Sequence, residues 1–365
     1  MTILIFLAAL LGTMALGIPI AFALLLSGVA LMLHLDLFDA QILAQNVING
    51  ADSFPLLAVP FFMLAGELMN EGGLSRRIVA LALALVGHLR GGLGFVAIVA
   101  ACLLAALSGS AVADTAALAA LLLPMMVRAG HDKATAGGLI ASAGIIAPVI
   151  PPSIGFVIFG VTANVSISKL FMAGIVPGLL MGIGIAVSWW FVAQRENVRP
   201  PPKASLAVRL HALKDALWAL GLPVIVLVGL KMGVFTPTEA AVVAAVYALL
   251  VSVLVYRELR LPQLLPVFIA AARTTAVIMF LVASAMVSAW LITVAQIPAQ
   301  LVDLLQPLLS SPTLLLLAIM LLIIAVGMAM DMTPTILILT PVLMPVVKAA
   351  GIDPVYFGVL FMINL

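Results

Sequence analysis

The chain has 365 residues, of which 65% are hydrophobic and 8% charged, against roughly 45–50% and 25% in soluble globular domains. Its net charge is +2, its four histidines are dispersed and its single cysteine is Cys102. This excludes a soluble domain and an intramolecular disulfide, and without a G-x-x-x-x-G-K-[ST] loop neither a nucleotide-driven pump nor a nucleic-acid partner is expected. The expectation is an all-α polytopic membrane protein embedded in the lipid bilayer.

Apolar runs of spanning length cover Ile3 to Leu33, Leu170 to Val192, Ala240 to Tyr256 and Thr313 to Met330, and one membrane helix needs about 20 such residues. Between Ser75 and Gly92, Arg76, Arg77, His88 and Arg90 flank a short apolar run that suits an arm at the membrane interface. Residues 93–165 contain shorter runs interrupted by Gly and Pro, read as re-entrant hairpin arms. Trp189 and Trp190 stand where an aromatic belt is expected. Residues 195–215 are rich in Arg and Lys around "RPPPK", so they form a cytoplasmic linker by the positive-inside rule. Arg257 and Arg260 follow two further spans and return to that side.

The linker divides a chain that is written twice. Pro19 in "MALGIPIAFALLLSGVALM" aligns with Pro237 in "MGVFTPTEAAVVAAVYALL", and "PMMVRAGHDKATAG" aligns with "PVVKAAGIDPVYFG" through a shared P-x5-G-x-D pattern. Two repeats, 1–194 and 216–365, point to a secondary transporter, because alternating access uses paired pseudo-equivalent halves. The same offset puts a counterpart of Pro148–Pro152 near position ~370, so a further ~60 residues are expected beyond Leu365.

Interrupted apolar segments mark where such proteins bind ions and substrate. The first is "LSGSAVADT", Leu107 to Thr115; the second is "SAGIIAPVIPPSIG", Ser142 to Gly155. Pro148, Pro151 and Pro152 remove backbone donors, freeing carbonyls around Ala147, Val149 and Ile150. Na⁺ is a fitting partner for such oxygens, with Ser108 and Ser110 able to add more and Gly109 letting the backbone bend. Asp114, Asp331 and Glu239 are acids at membrane depth and default to function, with structural hydrogen bonding as the competing reading. Thr115 shares the polar cluster of Asp114; Ser153, Thr162 and Asn164 are weaker substrate candidates, and Thr335 falls on Asp114 by the repeat. Tight helix packing is the competing reading for Ser108 and Ser110. Ser110 with His131 also admits a remote alternative, an intramembrane serine hydrolase.

"LSGSAVADTAALAALLLPMMVRAG", "IIAPVIPPSIGFVIFG", "LFMAGIVPGLL", "GVFTPTEAAVVAAVYAL" and "GIDPVYFGVLFMINL" together resemble the large membrane subunit of tripartite ATP-independent periplasmic (TRAP) transporters. The resemblance runs from about Gly17 to the last residue. It implies two inverted-topology repeats with re-entrant helical hairpins, and an elevator in which a transport domain slides past a scaffold in the bacterial inner membrane. It implies Na⁺ as the coupling ion. Its partners would be a small four-span membrane subunit, a periplasmic solute-binding protein and a small organic anion, a carboxylate such as a C4-dicarboxylate, sialic acid or another sugar acid. Carried onto this chain, one Na⁺ site would use Ser108, Gly109 and Ser110 with Gly144, Ala147, Val149 and Pro151. A second, partial site would use Gly327 and Asp331. Substrate would meet Asp114, Thr115, Ser153, Asn164 and Thr335. A carrier of related fold that works without a binding protein is the alternative.

Overall fold

The computed structural model describes the chain apart from Met1, Ser110, Asn197, Arg199 and Ser310, and apart from the side chains of Leu107, Ser108, Ala113, Leu304 and Leu308. Among the described residues the regular structure is entirely helical. Among the described residues five helices are long and apolar enough to cross a membrane, Ile167–Arg195, Leu206–Lys231, Pro237–Val255, Leu261–Val294 and Met332–Ala349, and the pair Ala40–Ala51 and Phe54–Glu71, bent by 56°, passes together. Backbone groups satisfied within each segment are what hydrocarbon demands.

Two of the expected runs divide or shorten. Ile3 to Leu33 is not one span but two helices, Thr2–Ala15 and Ile20–His34, parted where Gly17 takes φ +80° and Pro19 precedes the second helix. A left-handed glycine followed by a residue without an N–H ends one helix and starts another. Thr313 to Met330 becomes Pro312–Gly327. Conversely, the stretch 195–215 ends in helix, because the Ser205 hydroxyl accepts the Val208 N–H at 3.3 Å and caps Leu206–Lys231.

By contacts the chain forms two units, each drawing on both halves of the sequence: Met1–Leu57, Val157–Leu170 and Arg273–Leu365 in one, Ala58–Phe156 and Phe171–Ala272 in the other. Lipid supplies no hydrophobic drive between helices, so close packing of small residues and interhelical hydrogen bonds hold them together. In the first unit the Ser288 hydroxyl donates to the Leu24 carbonyl at 3.0 Å, and a side chain at Gly28 would press on Val287 and Leu291. Phe159, Phe357 and Phe361 form an aromatic cluster with ring centroids 5.7–6.3 Å apart.

In the second unit Ala58–Glu71 packs along Pro237–Leu250, and Leu74–Val86 along Leu206–Lys231. The basic arm is tied to other segments of this unit: Arg77 pairs with Glu258 at 2.6 Å and lies 3.7 Å from the Tyr256 ring centroid, Arg76 also reaches Glu258, and Arg90 donates to the Gln194 carbonyl at 2.8 Å. Trp190 is half-exposed, as a belt residue would be. Trp189 is not: it is buried at 2% exposure, with its indole N–H donating to the Gly91 carbonyl at 2.8 Å and its ring against Gly94. Two glycines without side chains leave a slot the size of an indole, and that slot overrides the interfacial preference.

The two copies of P-x5-G-x-D have the same local form. Gly130 and Gly351 both take positive φ, +101° and +70°, just after a helix. Asp132 and Asp353 then cap the next helices, Lys133–Gly144 and Pro354–Asn364, by accepting backbone N–H groups. At Asp132 the Thr135 N–H and hydroxyl hold the carboxyl below its ordinary range.

Candidate ion and substrate site

In the second unit, Gly92–Ser108 stops at Gly109, whose φ of +61° closes the helix with its N–H donating to the Ala105 carbonyl at 3.3 Å. Ala111–Arg128 then begins, giving a broken helix. A second break follows Lys133–Gly144: residues 145–153 have no regular helix, contain a cis Pro151–Pro152 bond, and lead into Ile154–Ala163. Proline at 148, 151 and 152 removes three donors from this stretch, so no helix can run through it.

The two breaks meet. A Cβ built on Gly109 would lie 2.5 Å from the Pro152 carbonyl oxygen and 2.9 Å from the Ser153 Cα, so only glycine fits there, by space and by φ. Thr115 packs on Gly144, its hydroxyl occupying the place a side chain at 144 would take. Of the residues expected to supply Na⁺ oxygens in this unit, Ala147, Val149 and Pro151 are buried, in the stretch that runs from Gly144 to the Gly109 contact at Pro152. Ser110 and the Ser108 side chain lie outside the described residues.

Gly144 O accepts the Ala147 N–H at 3.2 Å, and Pro148 O accepts the Ser153 hydroxyl at 2.5 Å. Among the described residues no donor reaches the carbonyls of Ala147, Ile150 or Pro151. Val149 O lies against Gly174 of Ile167–Arg195. Buried carbonyls without donors suit a dehydrated cation that prefers oxygen.

Asp114 is buried at 3% exposure in the first turn of Ala111–Arg128, where the helix N-terminus favours a carboxylate. Ser153 is fully buried; its hydroxyl donates to Pro148 O and accepts the Phe156 N–H at 3.3 Å, and so knits the broken stretch together. His131 places Nδ1 2.5 Å from Glu196 Oε2 and its ring 5.6 Å from Trp189. Glu239, read as an acid at membrane depth, is exposed and completes a capping box with Thr236. A carboxylate three residues after a threonine and Pro237 starts a helix, and that use accounts for it.

The remaining expected residues lie in the first unit. Pro312–Gly327 and Met332–Ala349 form another broken helix, with Gly327 last in the first arm and Asp331 exposed at the N-cap of the second. Thr335 is buried and its hydroxyl donates to the Asp331 carbonyl at 2.8 Å. Asn164 is exposed, with φ +54°.

One supporting feature escaped the sequence reading. Gly174, Gly178 and Gly182 recur every fourth residue on Ile167–Arg195, where added side chains would meet the Val149 carbonyl, Ile150 and the Cys102 sulfur. The G-x3-G-x3-G spacing was a signal for close helix approach. Nothing in it named the segments approached.

The fold and these broken helices define a polytopic α-helical membrane protein of transporter type. Its backbone is similar to that of the Alcanivorax borkumensis YdaH transporter, with a TM-score of 0.65 at 15% identity over 90% of this chain and 77% of that one, a likeness of fold. The chain belongs to the family "Tripartite ATP-independent periplasmic transporter, DctM component", which it matches over residues 7–365. It is 61% identical over 364 residues to the 2,3-diketo-L-gulonate TRAP transporter large permease protein YiaN of Escherichia coli, covering 100% of this chain and 86% of that protein. It is 40% identical to the sialic acid TRAP transporter large permease protein SiaM of Vibrio cholerae (97% and 83% covered). With the C4-dicarboxylate TRAP transporter large permease protein DctM of Pseudomonas aeruginosa the identity is 39% (93% and 80% covered).

Proposed function

We propose that this TRAP large permease is a Na⁺-coupled importer in the bacterial inner membrane. It takes up a small organic anion from a periplasmic solute-binding protein and works with a small four-span membrane subunit. The observation that carries the Na⁺ assignment is the meeting of two broken helices at Gly109 and Pro152, the second of them a buried stretch whose Ala147, Ile150 and Pro151 carbonyls no described donor reaches. The cation is coordinated by these oxygens, in place of the donors they lack. The second broken helix, at Gly327 and Asp331, contributes a further cation site. The matching Gly130–Asp132 and Gly351–Asp353 loops support a repeated architecture, on which we base the reading of two inverted repeats and an elevator whose transport domain slides past a scaffold. The relatives named above carry acids as substrates, and the most similar of those three is named for a sugar acid; a hydroxylated carboxylate is the substrate class proposed here.

The test is uptake in proteoliposomes containing both membrane subunits and the binding protein, with Na⁺ varied. Ser108→Ala combined with Ser110→Ala is expected to raise the Na⁺ concentration for half-maximal uptake about tenfold, which corresponds to about 1.4 kcal/mol. An unchanged Na⁺ dependence in folded mutant protein assigns these serines to helix packing.

A further inference from the structure

A cleft of about 570 Å³ in the first unit takes one wall from the C-terminal half of Met332–Ala349, from Pro341 to Lys348, away from the break at Gly327 and Asp331. Its polar lining comes from Asn46, Asn49, Asn164, Trp290, Thr293 and Lys348, and from Thr162, whose hydroxyl donates to the Ile158 carbonyl. Among the described lining residues there is one cation and no carboxylate. Lys348 is exposed and makes no ion pair with any described residue, and the Asn49 and Asn164 amides make no described hydrogen bond. Gly50 seats the Ala40–Ala51 helix close to Met286 and Ala283 of Leu261–Val294, which fixes the Asn46 and Asn49 wall.

The cleft also has an assignable side. The span Ile167–Arg195 ends in the basic cytoplasmic stretch, so Asn164, just before its start, lies at the opposite face. Counted from Leu206, three spans carry the chain out, back and out again, ending at Val294, which puts Thr293 at that same outer face. Two routes along the chain agree.

We infer that this cleft is an outer receiving site for a hydroxylated monocarboxylate, with Lys348 holding the carboxylate and Asn49 and Asn164 the hydroxyls. Trp290 offers an apolar ring face to the carbon skeleton. The single cation decides the class: a dicarboxylate would leave its second charge without a partner, at a cost that a hydroxyl meeting an amide does not incur. This inference rests on the reading of the chain as an importer of a small organic anion and adds the place and the charge count.

The experiment is a thermal-shift titration of the purified full chain in nanodiscs with gluconate, glucuronate, succinate and glucitol. Wild type is expected to bind both monoacids, succinate more weakly and glucitol least. Lys348→Gln is expected to weaken gluconate binding about tenfold, and Lys348→Arg to restore it. Asn164→Gly keeps the left-handed backbone and removes the amide, and is expected to weaken gluconate more than succinate. Equal gluconate affinity in wild type and Lys348→Gln overturns the assignment, as does a wild type that binds neither monoacid or prefers succinate. Na⁺-driven uptake is measured on the same preparations. Gluconate binding that depends on Lys348 without any uptake overturns the transport reading and leaves the cleft standing; uptake with Lys348→Gln indistinguishable from wild type overturns the cleft alone.

Discussion

The two broken helices look alike in outline and differ in what surrounds them. At Gly109 the backbone is left-handed and in contact with Pro152 and Ser153, and behind that second break stand three glycines of a long helix. At Gly327, among the described residues, an added Cβ would meet the end of the Leu365 side chain at 3.7 Å, and Met328 is 86% exposed. At Gly109 a second irregular segment brings oxygens without described donors to the break, the arrangement that suits a dehydrated cation.

The strongest way to break this comparison is to substitute both glycines identically. Gly109→Ala is expected to cost about 3 kcal/mol, from a left-handed alanine plus a methyl group against the Pro152 carbonyl. Gly327→Ala adds a better helix former at the end of a helix with open space, so it is expected to change stability by no more than about 0.5 kcal/mol. Thermal unfolding in detergent reads both, and equal losses would remove the distinction between the sites.

A sharper probe concerns Gly144 and Thr115. Gly144→Ala puts a methyl group where the Thr115 hydroxyl sits and is expected to cost about 2 kcal/mol. Adding Thr115→Ala is expected to recover about 1 kcal/mol of that loss, a coupling that independent sites would not display. Strict additivity would mean that the two residues do not touch. The smallest effect is expected at Glu239. Glu239→Ala removes a helix cap and lowers the unfolding midpoint less than Gly109→Ala does, with Na⁺ dependence unchanged. A shift in Na⁺ dependence would return this acid to the ion pathway.

How far the structure was legible in the sequence follows from the range of each interaction. Breaks at Gly109 and at Pro148–Pro152 were legible, because glycine and proline act on their own backbone. The P-x5-G-x-D repeat was legible too, but only as a repeat; that Asp132 and Asp353 cap helices two or three residues on is shown by the structure. The helix Leu206–Lys231 was obscured at its start by Arg209, Lys214 and Asp215, whose charges read as linker. The inward turn of Trp189 was not legible, because the slot that receives it is made by Gly91 and Gly94, about a hundred residues earlier in the chain. The cleft around Lys348 was missed for the same reason: its lining comes from four separate stretches, none of them a motif.

Trp189 has a second consequence. The glycine stripe at 174, 178 and 182 repeats every four residues, so moving that helix along its axis by about 6 Å would put glycine where glycine had been. Sterically the stripe is degenerate, like the teeth of a ratchet with no stop. The indole hydrogen bond to Gly91 at 2.8 Å supplies the stop, because only one axial position brings Trp189 to its carbonyl. One tryptophan thus selects the tooth at which Val149 and Ile150 are held.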